Sequence, residues 1–161
     1  MIPAVMMGLS DEQRNHLLDG IYDPSNNIGP RVNFPGETFT QKQMYNLDEQ
    51  WLEFSERLID MTTAIFGGDQ YGIGHMWGVA YNKGDEIYIH NHGEYTHAFV
   101  YYVKCCENCA PIVFPNMNQV IAPETDKLLV WENNKTSQHY VPPHECDHDR
   151  VVVSGHILRF S

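Results

Sequence analysis

The chain is expected to be mainly β, with about eight short strands forming a sandwich or double-sheet barrel and two N-terminal helices packed on one outer face. Three observations predict this. From Ile73 onward, short apolar runs alternate with turn residues at close spacing. Before that point, two stretches show helical rather than alternating periodicity. No linker, internal repeat or low-complexity tract divides the 161 residues, so a single domain over 1–161 is expected, with its barrel core at about 73–160.

The first helix is marked by Ser10-Asp11-Glu12-Gln13, a serine cap with glutamine three residues on, and Gly20 is its expected end. Residues 21–47 are rich in Pro, Gly, Asn and Thr and read as irregular, with room for one short strand. Leu47, Trp51, Phe54, Leu58, Met61 and Ile65 then recur at helical spacing. Asp48 caps that second helix and Gly67-Gly68 stops it. The expected strands are 75–82, 86–92, 97–104, 111–115, 118–122, 127–132, 137–142 and 149–158.

Composition narrows the possible partners. With 42% hydrophobic and 19% charged residues the chain has the balance of a globular protein rather than a disordered one. A formal net charge of -11, with no basic cluster to offset it, argues against nucleic acid and anionic membranes as partners. No run reaches the 18 or so apolar residues of a membrane span. Met1 to Gly8 is apolar but lacks the basic residues of a secretory leader, so a cytoplasmic location with reduced thiols is expected. On that footing the sequon Asn134-Lys135-Thr136 carries no meaning. Cys106 and Cys109 form a C-x-x-C, half of a zinc site, but no second such pair exists. A tight hairpin with Glu107 and Asn108 in the turn is the favoured reading. His144-Glu145-Cys146-Asp147-His148 fits H-E-x-x-H, a protease signature that works only on a helix. Pro142-Pro143 before it and the strand starting at Arg150 after it leave no room for one, so it reads as a polar loop with exposed histidines.

Nine histidines include one pair with chemical meaning. His90 and His92 stand two apart on an expected strand and so share a face, pointing two imidazoles into the barrel. Neutral imidazole suits iron, zinc, copper and nickel. His139, on a late strand just before Val141-Pro142, is the best third ligand. His97 lies on the opposite strand face and is expected to point outward. His16 and His75 have no identifiable partner, and His156 reads as a core or surface histidine although it shares a face with Arg150 and Ser154.

Three stretches carry a family resemblance: Trp77 to Gly84, then His90-Asn91-His92-Gly93, then Ala98-Phe99-Val100-Tyr101-Tyr102-Val103. With Pro123 to Trp131, His139-Tyr140-Val141-Pro142 and Arg150 to Ser154, they resemble the iron(II)- and 2-oxoglutarate-dependent dioxygenase superfamily. They are most similar to its small oxygenases from marine bacteria and their phages, and the resemblance spans residues 75–160. It implies a double-stranded β-helix, the cupin-like jelly roll. It also implies Fe(II) and 2-oxoglutarate as cofactors. The activity implied is a hydroxylase-type oxidation of a peptide or small molecule by O2, releasing succinate and carbon dioxide. His90, His92 and His139 take the places of the metal ligands, Arg150 that of the base pairing with the far carboxylate of 2-oxoglutarate, and Tyr102 that of a tyrosine bonding the same carboxylate. Ser154 adds a further hydrogen bond and Tyr81 lines the pocket. Arginine suits its place because it stays charged when buried and grips a carboxylate in a two-pronged fork. Loops 21–47 and 142–149 are expected to shape the substrate entrance.

One departure is notable. The superfamily's triad normally includes a carboxylate, yet position 92 is histidine. Either three histidines hold the iron, or His92 and Glu94 form the H-x-E with His139 as third ligand and His90 standing behind them, since residues 90, 92 and 94 share a strand face. Two other functions stay open: a cupin-type three-histidine metalloenzyme that does not use 2-oxoglutarate, and a non-enzymatic jelly-roll binding protein. Against a standard cupin, the glutamate of the first cupin motif is missing where Thr96 and His97 stand. Neither the substrate nor the oligomeric state is written in the sequence.

Overall fold

The computed structural model describes residues 1–68 and 70–160. Its elements in chain order are β1 (Ala4–Met6), α1 (Asp11–Tyr22), β2 (Thr38–Phe39), α2 (Glu49–Phe66), β3 (Gln70–Tyr81), β4 (Ile87–His90), β5 (His97–Lys104), β6 (Ile112–Phe114), β7 (Gln119–Ile121), β8 (Lys127–Glu132), β9 (His139–Val141) and β10 (Arg150–Phe160). All eight strands expected from the alternating pattern form, joined by β1 and β2 from the N-terminal region. They make two sheets, one in the order β1-β8-β5-β10-β3-β2 and the other β4-β9-β6-β7. Every pairing between these strands is antiparallel. This is a mainly β jelly roll with two helices on one face. Among the described residues no helix is long and apolar enough to cross a membrane.

Strand parity divides the core in two. Phe99, Tyr101 and Val103 of β5 join Val151, Val153 and Ile157 of β10 and Leu128 and Val130 of β8 on the outer face of the larger sheet. There they meet Leu17 and Ile21 of α1 and Trp51, Phe54 and Leu58 of α2. The alternate residues, among them Trp77, Val79, Tyr81, Ala98, Val100, Tyr102, Leu129, Trp131 and Val152, face the smaller sheet and fill the barrel. Both faces of the large sheet are therefore buried, and its central strands read as nearly unbroken apolar runs.

Both helix starts form as the sequence indicates. Ser10 and Gln13 make a reciprocal capping box, and the Asp48 carboxylate accepts the Trp51 N–H at 3.0 Å. Gly20 does not end α1, which runs two residues further. A Cβ at Gly20 would lie 2.8 Å from the Trp51 indole nitrogen, so the glycine makes room for α2. His97 is buried rather than outward, because the end of α2 covers that face with Phe66, 4.5 Å from its ring, and β3 adds Tyr71 at 5.5 Å. His16 pairs with Asp48 at 2.8 Å.

The centre of β10 depends on Gly155. A Cβ there would stand 2.2 Å from the His75 carbonyl oxygen and 2.7 Å from the Phe99 ring. Gly155→Ala is expected to destabilise the fold by about 3 kcal/mol through overpacking between fixed strands. A urea midpoint equal to that of the parent chain would refute this.

Candidate metal centre

Three imidazoles converge where the smaller sheet closes over the barrel. β4 and β9 pair so that His90 stands directly across from His139. His92 follows β4 rather than lying within it, since pairing stops at His90 and Gly93 turns the chain at φ 60°. Asparagines hold that turn. The His92 N–H donates to Asn91 Oδ1 at 2.8 Å, and Asn133 Nδ2 donates to the carbonyls of Gly93 at 3.0 Å and Tyr95 at 2.8 Å. One ring nitrogen from each of His90, His92 and His139 lies within 4.8 Å of the others.

The other nitrogens explain the orientation. His90 Nδ1 meets the Tyr88 carbonyl at 2.7 Å and His139 Nδ1 meets the Ser137 carbonyl at 2.8 Å. Carbonyls only accept, so both rings carry the proton on Nδ1 and present a bare Nε2. His92 Nδ1 meets His156 Nε2 at 2.8 Å, while His92 Nε2 lies 3.1 Å from His139 Nε2. His156 Nδ1 in turn meets His75 Nδ1 at 3.2 Å. Two relays satisfy the chain, running in opposite directions; the one that leaves His92 Nε2 bare for a metal has His92 donating to His156 and His156 donating to His75. In that relay three bare Nε2 lone pairs face one point, each fixed from behind, as metal-bound histidines are. Tyr95 stacks on the His156 ring at 4.1 Å.

Burial keeps these rings neutral. It pushes His139 and His156 down to about 3, and lowers His90 and His92 too, with neighbouring imidazoles adding to the effect on all but His90. A depressed folded-state pKa means that the unfolded chain binds more protons below the ordinary value of 6.5. Stability from these groups is therefore complete above pH 6.5 and falls as pH drops toward 3. The urea midpoint of the metal-free chain is expected to decline steadily between about pH 6.5 and pH 4, less steeply in His156→Asn. A flat midpoint over that interval would contradict the burial of neutral rings.

A narrow cavity of about 30 Å³ runs inward from the imidazoles, lined by His90, His92 and His139 at one end and Tyr81, Arg150 and Ser154 further in. Any occupant larger than a water molecule must part the side chains lining it. Arg150 is almost fully buried, its guanidinium 4.5 Å from the Tyr81 ring and 5.2 Å from the Tyr102 ring. Its Nε donates to the Ala110 carbonyl at 2.8 Å. Among the described residues no carboxylate pairs with it, and its Nη2 and the Tyr102 hydroxyl are buried without a partner. Burial pushes the Tyr102 hydroxyl up to about 12, so it remains a donor.

Glu94 is exposed and is not among the converging ligand groups. Outward, the cavity opens into a recess of about 370 Å³ lined by Arg31, Asn33, Phe39, Lys42, Trp77 and Tyr95, among others. Loop 21–47 thus shapes the mouth as expected. Residues 142–149 do not line it and lie instead against the Cys106–Cys109 turn. No helix forms at 144–148, yet His144 is fully buried rather than exposed. His75 and His156 were not recognisable as site residues. The one sequence signal was that His156 shares the face of Arg150 and Ser154.

No protein-family model matches the chain, and no curated protein sequence matches it. Solved structures do. A viral collagen prolyl hydroxylase from Paramecium bursaria Chlorella virus-1, in complex with 2-oxoglutarate, superposes with a TM-score of 0.72 at 14% identity, over 99% of this chain and 96% of the other. A Pseudomonas putida prolyl-4-hydroxylase gives 0.74 at 13% identity, over 99% and 93%. HygX of Streptomyces hygroscopicus, with nickel and 2-oxoglutarate bound, gives 0.71 at 7% identity, over 97% and 82%. The chain therefore has the jelly-roll fold of the 2-oxoglutarate- and iron-dependent oxygenases.

Proposed function

We propose that this chain is an iron(II)- and 2-oxoglutarate-dependent oxygenase that hydroxylates a peptide or small molecule. The observation that carries the reading is Arg150, a buried guanidinium with no protein carboxylate, beside an orphaned Tyr102 hydroxyl and in the same cavity as three bare imidazole nitrogens. An unpaired buried charge is costly, so its retention fits a carboxylate that arrives with the ligand. The three histidines would hold the metal, and Arg150, Tyr102 and Ser154 would hold the far carboxylate of the keto acid, whose other end reaches the metal. Together the two cofactors supply oxygen activation coupled to decarboxylation of 2-oxoglutarate to succinate and carbon dioxide.

The rest of the chemistry belongs to the chain. Tyr81 and Tyr102 flank the guanidinium and shield it from water, which strengthens its hold on an anion. Trp77 lines both the inner cavity and the outer recess and would stand between the keto acid and a second substrate. The recess carries Arg31 and Lys42 in a chain of net charge -11, which favours a second substrate with an anionic group. With three neutral ligands the site keeps the full charge of its metal, one unit more than a triad containing a carboxylate.

The all-histidine ligand set also suits a three-histidine oxygenase that has no keto acid. An anaerobic visible spectrum with ferrous iron separates the two. A broad charge-transfer band is expected on adding 2-oxoglutarate. Bound iron with no such band would favour the rival and leave Arg150 without its proposed ligand.

A further inference from the structure

Cys106 and Cys109 read as a bare hairpin from sequence because no second cysteine pair follows them. The fold supplies the missing half. Cys146, 40 residues after Cys106, brings its sulfur within bonding reach of that of Cys106, and the structure pairs the two as a disulfide, with Cys109 free beside them. Cys106 Sγ lies 3.7 Å from Cys109 Sγ. His148 lines the same surface hollow as Cys109 and Cys146, and its ring makes no hydrogen bond among the described residues. The arrangement is C-x-x-C on one turn and C-x-H on the loop packed against it.

Two structures could bring these sulfurs together, a disulfide or a shared cation. The Cα atoms of Cys106 and Cys146 are 7.5 Å apart. Disulfides span Cα separations of about 4.4–6.8 Å, and beyond about 7 Å the backbone must move to close one. A tetrahedral zinc ion with Zn–S bonds of about 2.3 Å spaces its sulfurs about 3.8 Å apart. The 3.7 Å between Cys106 and Cys109 matches that edge, whereas the Cys106 and Cys146 sulfurs are closer than it and would have to move apart to admit the ion. Backbone amides also point at two of the sulfurs: Cys106 N–H donates to Cys109 Sγ at 3.1 Å, and His148 N–H donates to Cys146 Sγ at 3.4 Å. Such bonds favour a thiolate, although at Cys109 burial outweighs them and holds the thiol above its ordinary value in the metal-free chain. Neighbouring candidates are already engaged. His144 uses both ring nitrogens, one toward the Ala110 N–H at 3.3 Å and the other toward the His148 carbonyl at 2.6 Å. Asp147 pairs with Lys83 at 3.2 Å, and Cys105 meets Thr125 Oγ1 at 3.7 Å.

We propose that Cys106, Cys109, Cys146 and His148 form a closed structural zinc site, separate from the three-histidine centre. Its role is positioning. Ala110 follows Cys109 directly, accepts from Arg150 Nε at 2.8 Å, and donates to His144 two residues before Cys146. Zinc joining the turn to the loop holds the Ala110 carbonyl, and thereby Arg150, in place. The site stands whether or not Arg150 binds a keto acid.

The test uses the full chain, purified anaerobically from zinc-supplemented cultures without chelator. Elemental analysis is expected to find zinc. Thiol titration in denaturant with EDTA and no reductant is expected to find all four cysteines free. Exchange with cobalt(II) should give a near-ultraviolet thiolate-to-cobalt band, which imidazole ligands do not produce. His92→Ala should retain that band, Cys146→Ser should lose it and His148→Ala should weaken it. Only two titratable thiols would mean a Cys106–Cys146 disulfide and overturn the proposal. Four free thiols with no sulfur-to-cobalt band would overturn it as well. Both decisive measurements are made on the parent chain, so a variant that fails to fold does not obscure them.

Discussion

Arg150→Met is expected to lose 2-oxoglutarate binding while the fold becomes as stable as, or more stable than, the parent. The two effects share one cause. In the parent a buried guanidinium has its Nη2 unpartnered and no carboxylate among the described residues to neutralise it. Methionine removes that burden at a similar volume, and exchanging buried charge for apolar packing is often neutral or stabilising by about 1–4 kcal/mol. The losses are the donor to the Ala110 carbonyl and the cation's contacts with the Tyr81 and Tyr102 rings. For the ligand the change removes a charge-assisted, hydrogen-bonded contact, costing about 3–5 kcal/mol, or a hundredfold or more in affinity. Ferrous iron binding should be unchanged, since no iron ligand is altered. Calorimetric titration with 2-oxoglutarate beside a thermal melt reads both effects. Parent-like 2-oxoglutarate affinity in this variant would remove Arg150 from the proposed site.

Removing His139 should have the other large effect. His139→Ala leaves two imidazoles, and iron retention after desalting is expected to fall to background, with turnover lost. His156→Ala should be graded rather than absolute. His156 touches no metal in the proposed site but fixes the tautomer and angle of His92 through a 2.8 Å bond. Loss of such a supporting partner typically costs about 10–100-fold in metal affinity. Equal loss in both variants would mean that His156 is itself a ligand. No effect in His156→Ala would mean that the His92–His156 bond does not orient the ring.

What the sequence disclosed follows from how local each signal is. Strand alternation from Ile73 on, the Ser10 and Asp48 caps and the helical spacing through α2 are short-range patterns, and the elements formed where they indicated. His90 and His92 were legible as a pair from strand parity, although the strand ends at His90 and the turn at Gly93 is what brings His92 to the site, and the ordering that resembled an oxygenase added His139. The supporting contacts were not legible because strand register creates them. His75 and His156 meet because β3 and β10 pair them directly, and nothing near either residue announces it. The same holds for Cys146 and His148, which reach the Cys106–Cys109 turn only after the barrel closes. β1, three residues long, has no periodicity to detect; it is held by pairing with β8, while Asp126 accepts the N–H groups of Gly8 and Leu9 just beyond it. His97 was misplaced because parity gives a face, and only the packing of α2 shows that the face is covered.

The two ends of the cavity rest on backbone of different quality. Arg150, Ser154 and His156 ride on β10, which lies inside the six-stranded sheet and pairs with β3 on one side and β5 on the other. His90 stands at the end of a four-residue edge strand with irregular pairing, and His92 lies beyond it. Amide hydrogen exchange should therefore be slowest along β10, opening only with the whole molecule, and fast around residues 87–93, which can fray alone. An anion-binding end that stays formed faces a metal-binding end that opens locally, so loading the metal should slow exchange at 87–93 far more than along β10.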